Sequence, residues 1–188
     1  MTAPEHVRLL HRLSYLRNWE FANVFLIPAM LSVIALLGED PLEHWTRRAV
    51  GTAPVSYLLL QGSLYWHLKL RHVMSASDGL PVWFRPLFRG FRRTNPLVMA
   101  GALILVLTSD APSGSGIAAD LPWAIVLITF AAIEHVNYYT WQLMHDAPAD
   151  LARLRRDRRL RRPALWRDLR ATRTTSARAS PTRDTLVG

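Results

Sequence analysis

Residues 21–38 read FANVFLIPAMLSVIALLG, 18 residues without a single charge. No other feature constrains the chain as much, because about 20 mostly apolar residues in a helix are what a ~30 Å hydrocarbon core requires. The run is longer than the apolar core of a signal peptide, and no small-x-small cleavage site follows it in LLGEDPLEHW, so a retained membrane anchor is expected. Three further stretches carry the same signature in weaker form. AVGTAPVSYLLLQGSLYWHLKL (49–70) has no charged residue before Lys69, and its Pro54 sits in the first turns, where proline is tolerated. NPLVMAGALILVLTS (95–109) is short, since 15 residues rise only about 22 Å, so it must lie little tilted, be extended at its ends or thin the bilayer. The fourth stretch runs from Leu121 to about Met144, apolar first and polar later.

These lengths predict an all-α, polytopic membrane protein: four transmembrane helices in a bundle, at about 20–38, 50–70, 95–109 and 121–144 within a domain of 20–145. An amphipathic segment, 1–19, precedes the domain, and a basic tail, 146–188, expected to be partly disordered, follows it. Lys and Arg accumulate in cytoplasmic loops. With the N-terminus inside, Arg8, Arg12, Arg17, Lys69, Arg71, Arg85, Arg89, Arg92, Arg93 and the arginines of the tail share one side, and Arg47 and Arg48 are left outside. That bias predicts an inner-membrane protein with both termini cytoplasmic.

Composition matters mainly where it misleads. Mean hydropathy is only +0.07 because residues 149–188 hold 12 of the 23 basic residues and dilute a much greasier first part. Arginine supplies all but one of those bases, a pattern that coding bias explains, so the net charge of +9 does not argue for nucleic acid as a partner. The absence of cysteine excludes disulfides, thiolate metal sites and a cysteine nucleophile, leaving His and carboxylates for any metal.

Within the fourth stretch, IEHVNYYTWQLMHD (133–146) places Glu134, His135, Tyr138, Tyr139, Gln142, His145 and Asp146 on less than half of a helix circumference. Polar groups at this depth need partners or water, so the stripe is expected to face protein. The second stretch ends with two alternative polar faces at similar depth. One holds Gln61, Tyr65, Lys69 and His72, the other Ser56, Ser63, His67 and Arg71, and a pair between Glu134 and Lys69 or a histidine is expected.

PVWFRPLFRGFRR (81–93) sorts Trp83, Phe84, Leu87, Phe88 and Phe91 onto one arc and Arg85, Arg89, Arg92 and Arg93 onto another, the pattern of a helix lying in the head-group region. Those four arginines are candidates for lipid head groups. The N-terminal HVRLLHRLSYLRNW is patterned alike, and the tail predicts a short basic helix.

The expected function is a binding or assembly subunit, in which the polar cluster docks membrane lipid, another membrane subunit or a second copy. Two alternatives remain open. His67 and His135 offer one histidine from each of two helices, the count for a haem held in a bundle. Glu134 with His135 offers general acid–base chemistry on a phospholipid head group, or a transport path. No nucleophile motif, phosphate loop or close metal-ligand spacing supports a particular reaction.

Overall fold

The computed structural model describes residues 3–37, 45–75, 79–109, 117–144, 152, 155–156 and 160–171. Among them five helices pack as an all-α bundle: α1 Ala3–Leu37, α2 Trp45–Met74, α3 Phe84–Thr108, α4 Ile117–Tyr139 and the short α5 Ala164–Arg170. Gln61 of α2 meets Asn95 of α3 and Tyr139 of α4, while Arg47 near the start of α2 donates to the carbonyl of Ser109 just past α3. Gly51 lies against Ala124, near the starts of α2 and α4. These contacts make α2 and α4 parallel and α3 antiparallel to both. Glu20 of α1 bonds Tyr138, and Pro28 and Ser32 lie beside Thr52 and Ser56, so α1 also runs against α2.

The segment up to residue 19 and the apolar run after it share one helix, since α1 has 35 residues and is about 52 Å long. Nothing between Glu5 and Phe25 is Gly or Pro, so no residue there disfavours the helical conformation. The stretch 81–93, expected to lie along a membrane surface, instead forms the first turns of α3 and continues into the short apolar stretch. Its Phe84 and Phe88 point into the bundle and are fully buried, since Tyr65, Tyr138, Tyr139, Leu165 and Leu169 offer them a protein surface. The 15-residue stretch is thereby lengthened to a helix of 25 residues.

Each of the four long helices contains an interior proline: Pro28, Pro54, Pro96 and Pro122. Proline withholds one N–H from the helical ladder. Below Pro28 the Ser32 hydroxyl donates to the Pro28 carbonyl at 2.9 Å.

Helix α2 is the common partner of α1, α3 and α4, while α5 rests on α3 and α4. Three buried clusters follow the bundle. Ala102, Val106, Ala124 and Ile128 pack α3 on α4 toward the far end. Val24, Val55, Leu58, Leu59, Leu127 and Ala131 join α1, α2 and α4 in the middle. An aromatic cluster of Tyr65, Phe84, Phe88, Tyr138 and Tyr139, closed by Leu165 and Leu169, fills the end that carries α5.

Many bulky apolar side chains lie on the surface, and a few polar ones lie inside an otherwise apolar core. Phe25, Met30 and Ile34 on α1, Leu97, Ile104 and Leu107 on α3, and Trp123, Val126 and Ile133 on α4 are exposed, while Gln61, Asn95 and Glu134 are buried. One described segment, Leu121–Tyr139, is long and apolar enough to cross a membrane by its length and composition.

Candidate functional site

The buried polar residues sort into three linked groups near the α5 end. The first is an amide pair between α2 and α3. Gln61 Nε2 donates to Asn95 Oδ1 at 2.9 Å, and Asn95 Nδ2 donates back to Gln61 Oε1 at 3.0 Å. Tyr139 fills the second lone pair of Gln61 Oε1 through its hydroxyl at 2.9 Å. The Asn95 amide also reaches His135 Nδ1 at 3.3 Å, and the His135 ring lies against Tyr139 with centroids 5.0 Å apart. An amide nitrogen only donates, so this geometry suits His135 with Nδ1 as acceptor. Asn95 and Gln61 are only 1% and 3% exposed, and three helices therefore meet on two amides that complete each other.

The second group surrounds Tyr138, whose hydroxyl donates to Glu20 Oε1 of α1. Glycine at position 62 makes this possible: a Cβ there would lie 2.7 Å from Tyr138 Cζ and 3.2 Å from Glu20 Cδ, so any side chain would displace the phenol. One turn earlier on α4, Glu134 is buried and accepts from Asn137 Nδ2 at 3.4 Å.

The third group holds α5. Asp168 Oδ2 accepts from Tyr65 Oη at 2.8 Å and from Lys69 Nζ at 2.7 Å. Leu165 and Leu169 enter the aromatic cluster on either side of that carboxylate. The last carbonyls of α5 have no intrahelical donor, and two guanidinium groups of α3 supply them. Arg89 reaches the Leu169 carbonyl at 3.4 Å and Arg85 the Ala171 carbonyl. Cations at a helix C-terminus also oppose its partial negative charge. The chain returns to the bundle through a narrow neck: the Gln142 N–H donates to the Arg161 carbonyl at 2.8 Å and Arg162 to the Thr140 carbonyl at 3.0 Å. Arg162 also stacks 3.7 Å above the Trp141 ring.

The expected stripe on α4 is thus brought together only in part. Glu134, His135 and Tyr138 face protein as expected, but α4 stops at Tyr139. The reason is local: Asn137 Oδ1 accepts the N–H groups of Leu143 at 2.9 Å and Met144 at 3.2 Å, offering the backbone an alternative to the helical ladder. Gln142 consequently lies outside the helix, its side chain turned to the Met144 carbonyl at 3.1 Å. His145 and Asp146, like most of the basic tail, lie outside the described residues.

The face of α2 bearing Gln61, Tyr65 and Lys69 points toward α3, α4 and α5, while Ser63 of the other face is buried as well. His67, 200° around from Tyr65, is exposed. His135 lies by Asn95 on the Gln61 side, so the two histidines of the haem alternative are not juxtaposed. Lys69, expected beside Glu134, reaches Asp168 instead. Tyr138 is level with Gly62, about 10 Å along α2 from Lys69, and Glu134 is a further turn away. Of the four arginines assigned to head groups, Arg85 and Arg89 contact α5, while Arg92 and Arg93 are exposed.

Two residues central to this region were absent from the sequence-derived set. Asn95, at the head of NPLVM, had a usable signal, namely an amide next to proline at the edge of an apolar run. Asp168 is the acid within a Leu-x-x-Asp-Leu pattern whose spacing gathers all three on one helical face. Among the described residues no buried side-chain nitrogen or oxygen lacks a hydrogen-bond partner, and no cluster of three potential metal ligands occurs. The amide pair and its neighbours thus satisfy one another's hydrogen bonds. A groove of about 320 Å³ lies elsewhere, between α1 and α2, lined by Pro28, Leu31, Ser32, Arg48, Thr52 and Ser56 among others.

Comparison with protein-family models, curated proteins and solved structures gives no match.

Proposed function

We propose that the chain is a four-span inner-membrane protein, with both termini in the cytoplasm, that serves as a binding or assembly subunit for another membrane component. The observation that carries this is the exposed apolar belt. Bulky apolar side chains of α1, α3 and α4 face outward along their middles, while amides and a carboxylate are satisfied inside. Water penalises such an outer belt and lipid does not. The prolines inside all four long helices fit the same solvent, because proline is commoner in transmembrane helices than in soluble ones. Arginines gather at the α5 end, as the cytoplasmic side of a membrane protein requires. Among the described residues the buried polar groups satisfy one another across α1, α2, α3 and α4, as a fastening between helices would. On this reading Arg92 and Arg93, both exposed, bind phospholipid head groups of the inner leaflet.

The chain has no cysteine, so single-cysteine labelling tests this cleanly. In intact membranes, cysteines replacing Phe25, Leu105 or Ile133 should resist a water-soluble maleimide and react only after unfolding. A cysteine at Ser176 should react in inverted vesicles but not in intact spheroplasts. Labelling of Ser176→Cys from outside overturns the topology, and ready labelling of the three belt positions overturns the membrane assignment. Mass spectrometry after gentle extraction should find a co-purifying membrane protein or phospholipid; a chromophore or metal in its place sinks the assembly role.

A further inference from the structure

We infer that the end of the bundle under α5 is a recognition groove for a short amphipathic helix, and that α5 occupies it in cis as a stand-in for a helix of a partner protein. The partner helix carries two leucines four residues apart with an acid immediately before the second. It rests on the assembly role for the existence of a partner; the groove itself is defined by the contacts that α5 makes.

Three features of those contacts belong to helix-in-groove recognition. Leu165 and Leu169 enter an apolar trough floored by Tyr65, Phe84, Phe88 and Tyr139, residues that are at most 1% exposed while α5 is in place. Asp168 sits between the leucines and is read by both the Tyr65 hydroxyl and the Lys69 ammonium. Arg85 and Arg89 then read the carbonyls at the helix end, which any helix of the same length presents whatever its sequence. The groove thus selects an apolar pair, one negative charge and a helix end, without using the outer side chains of α5.

The occupant is suited to being displaced. Seven residues are far too few for a helix to persist unaided, so α5 is helical only while docked. Its ion pair is partly open to solvent, with side-chain exposures of 28% for Lys69 and 20% for Asp168, and such pairs hold weakly. The floor of the groove is built by residues of three other helices: Tyr65 of α2, Phe84 and Phe88 of α3, and Tyr139 of α4. A longer partner helix starts with more of its ordering cost already met.

The test uses the full chain in detergent or nanodiscs, and a fluorescent peptide of residues 160–171 as the probe. A variant carrying Leu165→Asp with Asp168→Arg frees its own α5. It should bind the peptide saturably, at least tenfold more tightly than the wild type, whose groove is filled. A peptide with Asp168→Lys should bind the freed variant at least tenfold more weakly than the native peptide, and adding Lys69→Glu to the protein should recover that charge-reversed peptide. If the double variant folds poorly, Asp168→Lys alone in the full chain, with both leucines kept, carries the same comparison. Equal binding of native and charge-reversed peptides, or no gain over wild type on freeing α5, overturns the groove. Binding of the native peptide to the freed variant, with neither a membrane protein nor phospholipid recovered from membranes, leaves the groove standing and overturns the assembly role instead.

Discussion

The two halves of the contact between α2 and α4 are held by different means. Toward the far end Gly51 sits so close to Ala124 that an added Cβ would lie 2.8 Å from the Ala124 Cα, and the neighbours are Val55, Ala124 and Ile128. Toward the α5 end the same two helices are joined through Gln61, Tyr139 and Tyr138, with Asn95 and Glu20 brought in from α3 and α1. In a lipid-like surrounding, burial of apolar surface does not drive helices together, so association relies on tight packing of small residues or on hydrogen bonds. The far half uses the first device, and the α5 half adds hydrogen bonds to the close approach of Gly62 and Tyr138. Packing admits no larger atom, whereas the hydrogen-bonded half depends on complete sets of partners.

Each half can be broken separately. The largest effect is expected from Gly51→Leu, because the obstruction is backbone and cannot rotate away; a loss of about 3 kcal/mol is expected, read as a lower melting temperature in detergent. An unchanged melt would show that the far half is loosely packed. Next comes Asn95→Leu, which strands a buried Gln61 and should cost about 2 kcal/mol. Adding Gln61→Leu should cost less than the sum of the two single changes, by about 1 kcal/mol, since the pair acts as a unit. Strict additivity in that double-mutant cycle would mean that the amides are not coupled. The smallest global effect belongs to Asp168→Asn, whose lost ion pair is partly exposed and worth under about 1 kcal/mol to the bundle. Hydrogen exchange should nevertheless accelerate at 164–170 while residues 50–66 stay protected; matched acceleration in both would join α5 to the core in one cooperative unit.

Much of the helical plan was legible in the sequence because apolar length and helical phase are local properties. The all-α class, the four long helices, the buried side of Glu134 and Tyr138, and a short helix in the basic tail all follow from them. Phase alone left two faces of α2 open, since each offered polar groups at the same depth; Asn95 and Tyr139, partners from other helices, select the Gln61 face. The end of α4 was hidden for a different reason. No glycine or proline marks it, and the competing acceptor is the side chain of Asn137, which reads from sequence as one more polar residue of the stripe. Asp168 looked like part of a solvated charge run because its partners, Tyr65 and Lys69, lie about a hundred residues earlier.

The neck between Gln142 and Arg161 has a practical consequence. One backbone hydrogen bond of 2.8 Å holds the two ends of the intervening segment together, and lengthening a loop closed in this way costs only about 0.6 kcal/mol per doubling. Evolution or a protein engineer can therefore enlarge that excursion, with a tag, a reporter or a regulatory module, while the helices on either side keep their register.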